Sequence, residues 1–380
     1  MLHIADFEEI RNGEVVDVYF TRAKAILEAK GIDARVRAEF FAKALPHGWP
    51  WAVFAGLEEA SELIQGLDLN VRAMPEGTIF RPGETVLEIE GRYLEFGGLE
   101  TAILGLICQA SGVATKAARC RKAAGTKGLF SFGARRMHPA IAPMLERNAY
   151  IGGCDGVAVK KGADLIDQEP VGSMPHALIL LMGDTVKATL AFDEVIDPRV
   201  NRISLVDTFQ DEKFEALRVA RALGDRLWGV RLDTPGSRRG NFAQIIEEVR
   251  WELDLAGFEN VKIVVSGGLD EKELAALAPL VDVFGVGTAV SAAPVVDYSM
   301  DIIEIEGRPL AKRGKKSGAK DVFRCPGCGI DQVVPLGQPV RPCSCGGRPV
   351  SLLAPLPGER IPAREIRERV LKQLSQFPLD

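Results

Sequence analysis

A chain of 380 residues with a formal net charge of −5 is long enough for two or three domains, and its acidic balance disfavours nucleic-acid binding. Hydrophobic residues make up 47% of the sequence and charged residues 26%, as in an ordinary globular protein. No apolar run reaches the ~18 residues of a membrane span, and the acidic start MLHIADFEEIRNGE is unlike a signal peptide. Seven cysteines, four of them clustered late in the chain, favour a metal site in a reducing compartment. We therefore expect a cytoplasmic protein that binds neither membrane nor nucleic acid.

The first third of the chain combines helical and strand patterns. Residues 17–65 are predicted as helices with short breaks, and residues 70–96 as a small β unit with tight turns at Pro-Gly and Glu-Gly pairs. Residues 98–125 are predicted as one helix, because apolar residues recur three and four positions apart. We assign residues 1–120 to an N-terminal α+β domain.

From about residue 126 the pattern changes to short apolar strands separated by amphipathic stretches. Alternating Val- and Ile-rich strands and helices imply parallel strands buried on both faces. Seven strands favour a closed or nearly closed β/α barrel, which we assign to residues 121–295, with a small C-terminal domain at 296–380. The predicted strands are GLFSF, GVAVK, VKATLAF, RISLVD, LWGVRLD, VKIVVSG and VDVFGVG.

The most specific local pattern is the cysteine-rich segment CPGCGIDQVVPLGQPVRPCSCGG. Cys325 and Cys328 form a C-x2-C pair, and Cys343 and Cys345 form a C-x-C pair. Four thiolates complete a tetrahedral zinc site, and the neighbouring glycines let backbone amides approach the sulfurs. The pattern suggests no open coordination position, so we predict a structural zinc that stabilises a subdomain too small to build its own core.

The last two predicted strands each run into a glycine-containing turn. VVSGGLDEKEL supplies Gly267 and Gly268, and VFGVGTAVS supplies Gly287 and Thr288. In β/α barrels the loops after the last two strands commonly bind phosphate through free backbone amides. These four residues are therefore the predicted phosphate site.

The stretch FSFGARRMHP places two arginines and a histidine directly after an apolar strand. Buried Arg and His side chains are costly unless they are paired, so we expect a ligand beside Phe132. Arg135, Arg136 and His138 are the candidate partners of that ligand.

Other predicted strands also end in polar residues, at the positions where barrel enzymes keep their chemistry. LVDTF contains Asp207, and VRLDTPG places Arg231 and Asp233 on one face. Salt bridges in loops explain any one such strand end, but explain several poorly. His176, in GSMPHAL, is either a hydrogen-bonded structural residue or part of the site. Together these residues predict a site for a phosphorylated sugar and a flat anion.

Eight motifs resemble those of the nicotinate phosphoribosyltransferases, which have the type II phosphoribosyltransferase fold. The similarity covers most of the chain, and the four-cysteine segment resembles the zinc-knuckle extension of an archaeal-type branch. The resemblance implies an irregular β/α barrel flanked by an N-terminal α+β domain, similar to that of the quinolinate enzymes, and by a small zinc-knuckle domain. The motifs are DVYF, FSFGARRMHP, AYIGGCDGVAV, GSMPHAL, VDTF, GVRLDTPG, VSGGLD and GVGT.

The resemblance also implies a reaction. The pyridine nitrogen of nicotinate displaces pyrophosphate from phosphoribosyl pyrophosphate, giving nicotinate mononucleotide. Tyr19 and Phe132 are expected to enclose the pyridine ring, and one arginine of the pair Arg135 and Arg136 to meet its carboxylate. The sequence leaves open which arginine does so.

The remaining roles follow from the same resemblance. Asp207 and Asp233 are expected near the ribose or near water on Mg2+, and Arg231 near the ribose or the diphosphate. His176 matches a histidine that several relatives phosphorylate, although use of ATP by this chain is left open. The expected assembly is at least a dimer with a shared active site, in which Tyr19 acts across the interface, and a trimer of dimers is the larger candidate.

Two observations favour nicotinate over related substrates. Ala158 stands where nicotinamide-specific relatives carry an aspartate, and four histidines in total are few for an enzyme that must hold the two carboxylates of quinolinate. The alternatives are a quinolinate phosphoribosyltransferase, a non-catalytic zinc-stapled binding protein, and an aldolase with a Schiff-base lysine at Lys160 or Lys161.

Overall fold

A computed structural model of the protein describes residues 2–379. The chain divides into two compact units: unit 1 comprises Met1–Ala118 and Ala293–Asp380, and unit 2 comprises Arg119–Ala292. The division into three domains remains a prediction, and the two units are described separately below.

The secondary structure is numbered in chain order. The helices are α1 (Phe7–Arg11), α2 (Val18–Ala29), α3 (Leu57–Leu63), α4 (Tyr93–Phe96), α5 (Glu100–Ala124), α6 (Ala142–Ile151), α7 (Lys160–Asp164), α8 (His176–Met182), α9 (Thr185–Val195), α10 (Glu212–Leu223), α11 (Gly236–Arg239), α12 (Phe242–Leu255), α13 (Glu271–Leu277), α14 (Thr288–Ser291) and α15 (Ala363–Leu374). The strands are β1 (Arg35–Ala42), β2 (Ala52–Val53), β3 (Asn70–Ala73), β4 (Ile79–Phe80), β5 (Thr85–Arg92), β6 (Gly128–Ser131), β7 (Gly156–Val157), β8 (Ile203–Leu205), β9 (Gly229–Leu232), β10 (Lys262–Ser266), β11 (Val283–Val286), β12 (Tyr298–Ile305), β13 (Arg308–Pro309), β14 (Lys320–Arg324), β15 (Asp331–Pro335), β16 (Val350–Ser351) and β17 (Ala354–Pro355). Single 3-10 turns lie at Pro46–Gly48, Gly97–Leu99, Ala134–Arg136, Pro139–Ile141 and Gly224–Arg226.

Unit 1 is built on a six-stranded sheet with the order β13-β12-β1-β5-β3-β17, whose paired strands run antiparallel. Val36, Ala38 and Phe40 alternate along β1 and are buried in the core of the unit. The prediction of helices throughout residues 17–65 is therefore wrong at β1. The segment RVRAEFFA alternates with a period of two, which is a local strand signal that the prediction overlooked, and it pairs with β5 and with β12, which lies some 260 residues further along the chain.

The helix α5 contributes apolar residues to the core of unit 1. By length and composition, Tyr93–Ala124 is the one helical stretch among the described residues that passes a test for a membrane span. Ile103 and Ile107 of this stretch are fully buried among the residues of the core. A core helix satisfies the same test, and the buried apolar side chains explain the composition here.

Unit 2 contains a parallel six-stranded sheet with the order β7-β6-β11-β10-β9-β8. Helices such as α10, α12 and α13 connect successive strands, which gives the β/α pattern expected from the sequence. This sheet confirms the predicted α/β class. The carboxyl ends of all six strands lie at the same edge, because the strands are parallel.

One predicted strand of the barrel is a helix. The segment VKATLAF lies within α9, where the Asp184 side chain caps the first turn by accepting a hydrogen bond from the Lys187 backbone amide at 2.9 Å. The apolar run alone does not distinguish a buried strand from a helix. The Asp184 cap stabilises the helix, because it satisfies a backbone amide of the first turn. The sheet of unit 2 consequently has six strands rather than seven.

Part of unit 1 is a small β module near the C-terminus. The strands β14, β15 and β16 form a three-stranded antiparallel sheet, and the terminal helix α15 buries Ile366, Val370 and Leu374. The predicted cysteine-rich segment lies between β14 and β16. Ile366 and Val370 lie next to Gly77, so the helix packs against the segment before β4.

Unit 1 also buries the carboxyl group of Glu84, which is 4% exposed. Burial and the neighbouring Asp331 carboxylate raise the pKa of Glu84 to about 8, while the Arg81 backbone amide and the Arg324 guanidinium act in the opposite direction. Arg324 donates two hydrogen bonds of 2.7 Å to the Asp331 carboxylate, which also pairs with Arg81. Glu84 is therefore protonated at neutral pH.

We expect the free energy of unfolding to fall as the pH rises from about 5 to about 8. The folded state keeps a proton on Glu84 across this window, whereas the unfolded chain, with an ordinary carboxyl pKa of about 4.3, has released it. Glu84→Gln should flatten the fall, and urea unfolding at several pH values measures it. Glu62→Gln, at an exposed site, is the control, and a Glu84→Gln variant that keeps the wild-type pH dependence would contradict the assignment.

Candidate active site

The predicted site residues of unit 2 lie where the parallel strands end. Phe132 follows β6, Asp207 follows β8, Asp233 follows β9, Gly267 follows β10 and Gly287 follows β11. The strand order places β9, β10 and β11 side by side, with β6 next to β11. Positions far apart in sequence are thereby brought to one edge of the sheet.

A hydrogen-bonded network joins β9 to β10 at this edge. The Arg231 side chain donates to Asp233 Oδ2 at 2.9 Å and to Ser266 Oγ at 3.0 Å, and Ser266 Oγ donates to Asp233 Oδ1 at 2.8 Å. A further contact of 3.3 Å links Arg231 to Ser173 Oγ. The guanidinium also lies over the Phe132 ring, 5.7 Å from its centroid. The network fixes a positive charge and a carboxylate beside an aromatic face.

His176 begins α8 and lies beside two carboxylates. Its Nε2 atom is 3.7 Å from Asp207 Oδ2 and 3.8 Å from Asp233 Oδ2, and its Nδ1 atom is 3.1 Å from Thr208 Oγ1. The His176 side chain is 42% exposed, so it is accessible to a ligand.

Asp207 is the most enclosed group of the site, with a side chain that is 2% exposed. No side chain donates a hydrogen bond to its carboxylate oxygens among the described residues, and only the Asp233 and Asp207 backbone amides lie near enough to act on them. Burial raises the pKa of Asp207, and the nearby His176 acts against this effect. A buried carboxylate without a side-chain donor attracts a cation or a hydroxyl donor, so this position suits a metal ion or a sugar hydroxyl.

The predicted glycine turns leave backbone amides free. Gly267 and Gly268 have φ values of +89° and +62°, which L-residues with side chains rarely adopt. Among residues 2–379, the amides of Gly267, Gly268 and Gly287 donate no hydrogen bond to the protein. Thr288 begins the short helix α14 directly after Gly287. Free amides in such turns suit anions.

The remaining predicted substrate residues do not join this network. Arg135 and Arg136 lie on an exposed 3-10 turn, and their side chains make no hydrogen bond or ion pair with any described residue. His138 is also exposed, and its Nδ1 accepts a hydrogen bond from the Ala140 amide at 3.2 Å. Tyr19 belongs to unit 1, lies on α2 and is 58% exposed.

The sequence reasoning missed several residues of the site. Ser266 bridges Arg231 and Asp233, Ser173 contacts Arg231, and Thr208 contacts His176. Each lies within three residues of a predicted position, so the motifs contained them. What the sequence lacked was the pairing of β9 with β10, which is a tertiary contact.

The four clustered cysteines form a second site, in unit 1. Their Sγ atoms all lie within 4.8 Å of one another, with Cys325 and Cys345 at 3.4 Å and Cys328 and Cys343 at 3.3 Å. Tetrahedral zinc with bonds of ~2.3 Å places sulfurs ~3.8 Å apart, so the four cysteines can hold a metal ion of this kind. The Cys345 amide and the Cys328 thiol lower the pKa of Cys343 to about 6, and hydrogen bonds with the neighbouring thiols raise the pKa values of Cys328 and Cys345, so the four thiols share their protons.

The sequence of this chain is similar to those of known phosphoribosyltransferases. The family described as quinolinate phosphoribosyl transferase matches with its N-terminal domain at residues 17–111 and with its C-terminal domain at residues 113–301. A nicotinate phosphoribosyltransferase of Mycobacterium tuberculosis is 30% identical over 354 residues, which cover 82% of this chain and 78% of the relative. The chain belongs to the nicotinate phosphoribosyltransferase family. The Bacillus subtilis nicotinate phosphoribosyltransferase is also 30% identical, and this chain spans 62% of its length.

Solved structures extend the family assignment. The crystal structure of a nicotinate-nucleotide pyrophosphorylase from Pyrococcus furiosus is 52% identical and superimposes with a TM-score of 0.97, covering 100% of this chain and 99% of that one. Human nicotinic acid phosphoribosyltransferase superimposes with a TM-score of 0.75 at 21% identity, covering 95% and 94% of the two chains, which shows a shared fold. The phosphoribosyltransferase fold predicted from the motifs is confirmed.

Proposed function

We propose that this protein is a nicotinate phosphoribosyltransferase, which forms nicotinate mononucleotide and pyrophosphate from nicotinate and phosphoribosyl pyrophosphate in NAD salvage. The observation that carries the proposal is the cluster of Arg231, Asp233 and Ser266 beside Phe132 and the free glycine amides. An aromatic face, a fixed ion pair and an anion cradle are the parts that a flat acid and a phosphorylated sugar require.

In the proposed reaction, the protein acts mainly by stabilising the charges that develop on the ribose and on the leaving diphosphate. A neutral ring nitrogen attacks the anomeric carbon, so no general base has to activate it. Asp207 and Asp233 would stabilise positive charge that develops on the ribose, while Arg231 would hold the ribose or the diphosphate. The two carboxylates also offer the oxygen ligands that Mg2+ prefers, and this ion, when bound with the substrate, neutralises the leaving diphosphate. The amides of the glycine turns would bind the 5′-phosphate.

Phe132 is the proposed platform for the pyridine ring. A Cβ atom on Gly285 would lie 2.5 Å from two ring carbons of Phe132, so the ring packs directly against the backbone of β11. This packing fixes one face of the binding pocket. We assign the second face to Tyr19 of a partner subunit.

The assembly in the proposal is at least a dimer. The helix α2, which the structure describes in full, buries none of its residues, and its Val18, Tyr19 and Ile26 are all more than half exposed. Exposed apolar side chains concentrated on one helix are typical of an interaction surface. Light scattering coupled to size exclusion should give a mass of at least two chains, and a monomer would contradict the shared pocket.

A quinolinate phosphoribosyltransferase is the second candidate. The matching family is described as quinolinate phosphoribosyl transferase, and the Pyrococcus furiosus protein is named a nicotinate-nucleotide pyrophosphorylase. Such an enzyme holds two carboxylates and releases carbon dioxide. The exposed pair Arg135 and Arg136 offers two guanidinium groups, so the choice between the substrates is made by assay.

The test is a product assay by chromatography. Purified protein, Mg2+ and phosphoribosyl pyrophosphate are offered nicotinate, nicotinamide or quinolinate, each with and without ATP. Nicotinate mononucleotide from nicotinate supports the proposal, and an increase with ATP points to phosphorylation of His176. The same product from quinolinate, with release of carbon dioxide, supports the second candidate. No product from any base overturns both.

The carboxylate partner is identified by two variants. We expect either Arg135→Ala or Arg136→Ala to raise the KM for nicotinate about 10- to 100-fold, because a hydrogen bond to a charged group contributes about 1.5–3 kcal/mol. The KM for phosphoribosyl pyrophosphate should change much less. Arg238→Ala, at an exposed arginine without an ion pair, is the control. Unchanged nicotinate KM values in both variants would show that neither arginine binds the carboxylate.

A further inference from the structure

A further arginine, Arg239, lies next to the predicted phosphate site, in a position that the motifs did not indicate. Arg239 ends the short helix α11, directly after the loop that follows β9. Its guanidinium lies over the Phe242 ring, 4.3 Å from the centroid, and its side chain is partly buried. The side chain of the preceding Arg238 is exposed and makes no hydrogen bond or ion pair with any described residue.

The Arg239 side chain connects the loops after β9 and β10. Its Nε atom donates to the Thr234 carbonyl at 3.0 Å, and its Nη2 atom donates to the Gly267 carbonyl at 2.7 Å and to the Ser266 carbonyl at 3.3 Å. One guanidinium therefore holds two successive carbonyl groups of the glycine turn.

These hydrogen bonds from Arg239 to the two carbonyls determine where the amides of the turn point. In a trans peptide the C=O and N–H groups point in opposite directions, and the described residues contain no cis peptide. The Ser266 carbonyl shares its peptide with the Gly267 amide, and the Gly267 carbonyl shares its peptide with the Gly268 amide. Because Arg239 draws both carbonyls to one side, both amides face the other side, where no described residue accepts from them.

The turn has no space for a side chain at Gly267. A Cβ atom on Gly267 would lie 2.8 Å from Asp233 Oδ1 and 3.1 Å from Arg239 Nη2. Gly267 and Gly268 have positive φ values, which residues with side chains rarely adopt, and two successive amides that face one side of a turn form an arrangement that binds anions. The cation behind the two carbonyls polarises these peptides and so strengthens their amides as donors.

We propose that Arg239 is a positioning residue that preorganises the Gly267 and Gly268 amides to bind a phosphate group of the phosphorylated ribose. The role rests on the proposed function, because that substrate supplies the phosphate. Arg239 acts through the turn and through Thr234, so it contributes to substrate affinity without contacting the reacting atoms.

The test compares Arg239→Gln with Arg238→Gln as the matched control. Calorimetry measures the affinity for ribose 5-phosphate and for pyrophosphate, and steady-state assays measure both KM values. Arg239→Gln should weaken one of the two probes about tenfold and raise the KM for phosphoribosyl pyrophosphate similarly. The KM for nicotinate and the melting temperature should stay near the wild-type values. Loss confined to ribose 5-phosphate assigns the turn to the 5′-phosphate, and loss confined to pyrophosphate assigns it to the diphosphate.

The other outcomes separate this inference from the proposed function. Wild-type affinities in folded Arg239→Gln overturn the inference, and so does a wild-type protein that binds neither probe. The protein could also bind a probe through Arg239 and yet form no product from any base. That result supports the phosphate site at the Gly267 and Gly268 amides and overturns the proposed enzymatic function. If Arg239→Gln does not fold, Arg239→Lys carries the test, because a lysine keeps the charge but loses the planar fork that reaches both loops. Wild-type affinity in that variant overturns the inference.

Discussion

Asp233→Asn should lower kcat/KM about 100-fold or more while leaving the protein folded. Asp233 accepts hydrogen bonds from Arg231 and Ser266 through different oxygens and lies 3.8 Å from His176. The amide is nearly the same shape but carries no charge, and its nitrogen cannot accept from Arg231. Removing one preorganised electrostatic group from an active site typically costs about 2.7–4 kcal/mol of transition-state stabilisation, which is a factor of 100 or more.

The control for this variant is Asp197→Asn. Asp197 also pairs with an arginine, Arg199, but both side chains are at least 47% exposed, and such pairs contribute little. Initial rates over a range of both substrates give kcat/KM, and thermal melting verifies the fold. Asp233→Asn within threefold of the wild-type kcat/KM would remove Asp233 from the catalytic site. Ser266→Ala should show a smaller loss, because it removes one neutral partner and leaves the ion pair in place.

Gly347→Ala should lower the affinity of the four-cysteine site for zinc about tenfold or more. A Cβ atom at this position would lie 2.6 Å from Cys325 Sγ and 3.3 Å from Cys345 Sγ, so the added methyl group displaces a metal ligand. Overpacking of this kind costs about 1–3 kcal/mol, and 1.4 kcal/mol corresponds to a factor of ten in binding. Zinc binding stabilises small modules strongly, so the sheet β14-β15-β16 should also unfold at a lower temperature.

The chain provides a matched control for this experiment. A Cβ atom on Gly327 would lie 3.6 Å from Cys345 Sγ and 3.9 Å from Cys325 Sγ, which is ordinary van der Waals contact. Gly327→Ala should therefore keep the wild-type affinity for zinc. Competition with a coloured chelator measures the affinity of each variant, and elemental analysis gives the zinc content. Equal affinities in the two alanine variants would contradict the close contact between Gly347 and the sulfur.

Helix and strand assignments from the sequence were correct where the local signal was strong. The helix α5 follows from 25 residues of clear periodicity, and the β unit at residues 70–96 follows from its turn residues. The segment VKATLAF is apolar enough to be a buried strand and became a helix because Asp184 caps it. The segment RVRAEFFA became a strand because β12 and β5 pair with it. In both cases the deciding contact lies outside the segment.

The sequence by itself determined the chemistry available to this protein. Cysteine spacing, glycine turns and polar residues at strand ends are local patterns, and parallel strands bring their carboxyl ends to one edge in any β/α barrel. The tertiary structure decided which of those groups act on one another. The Arg231–Ser266 bond, the Arg239 grip on the glycine turn and the contact between Glu84 and Asp331 each join separate segments of the chain. Such contacts depend on strand register and burial, which arise only when the whole chain packs.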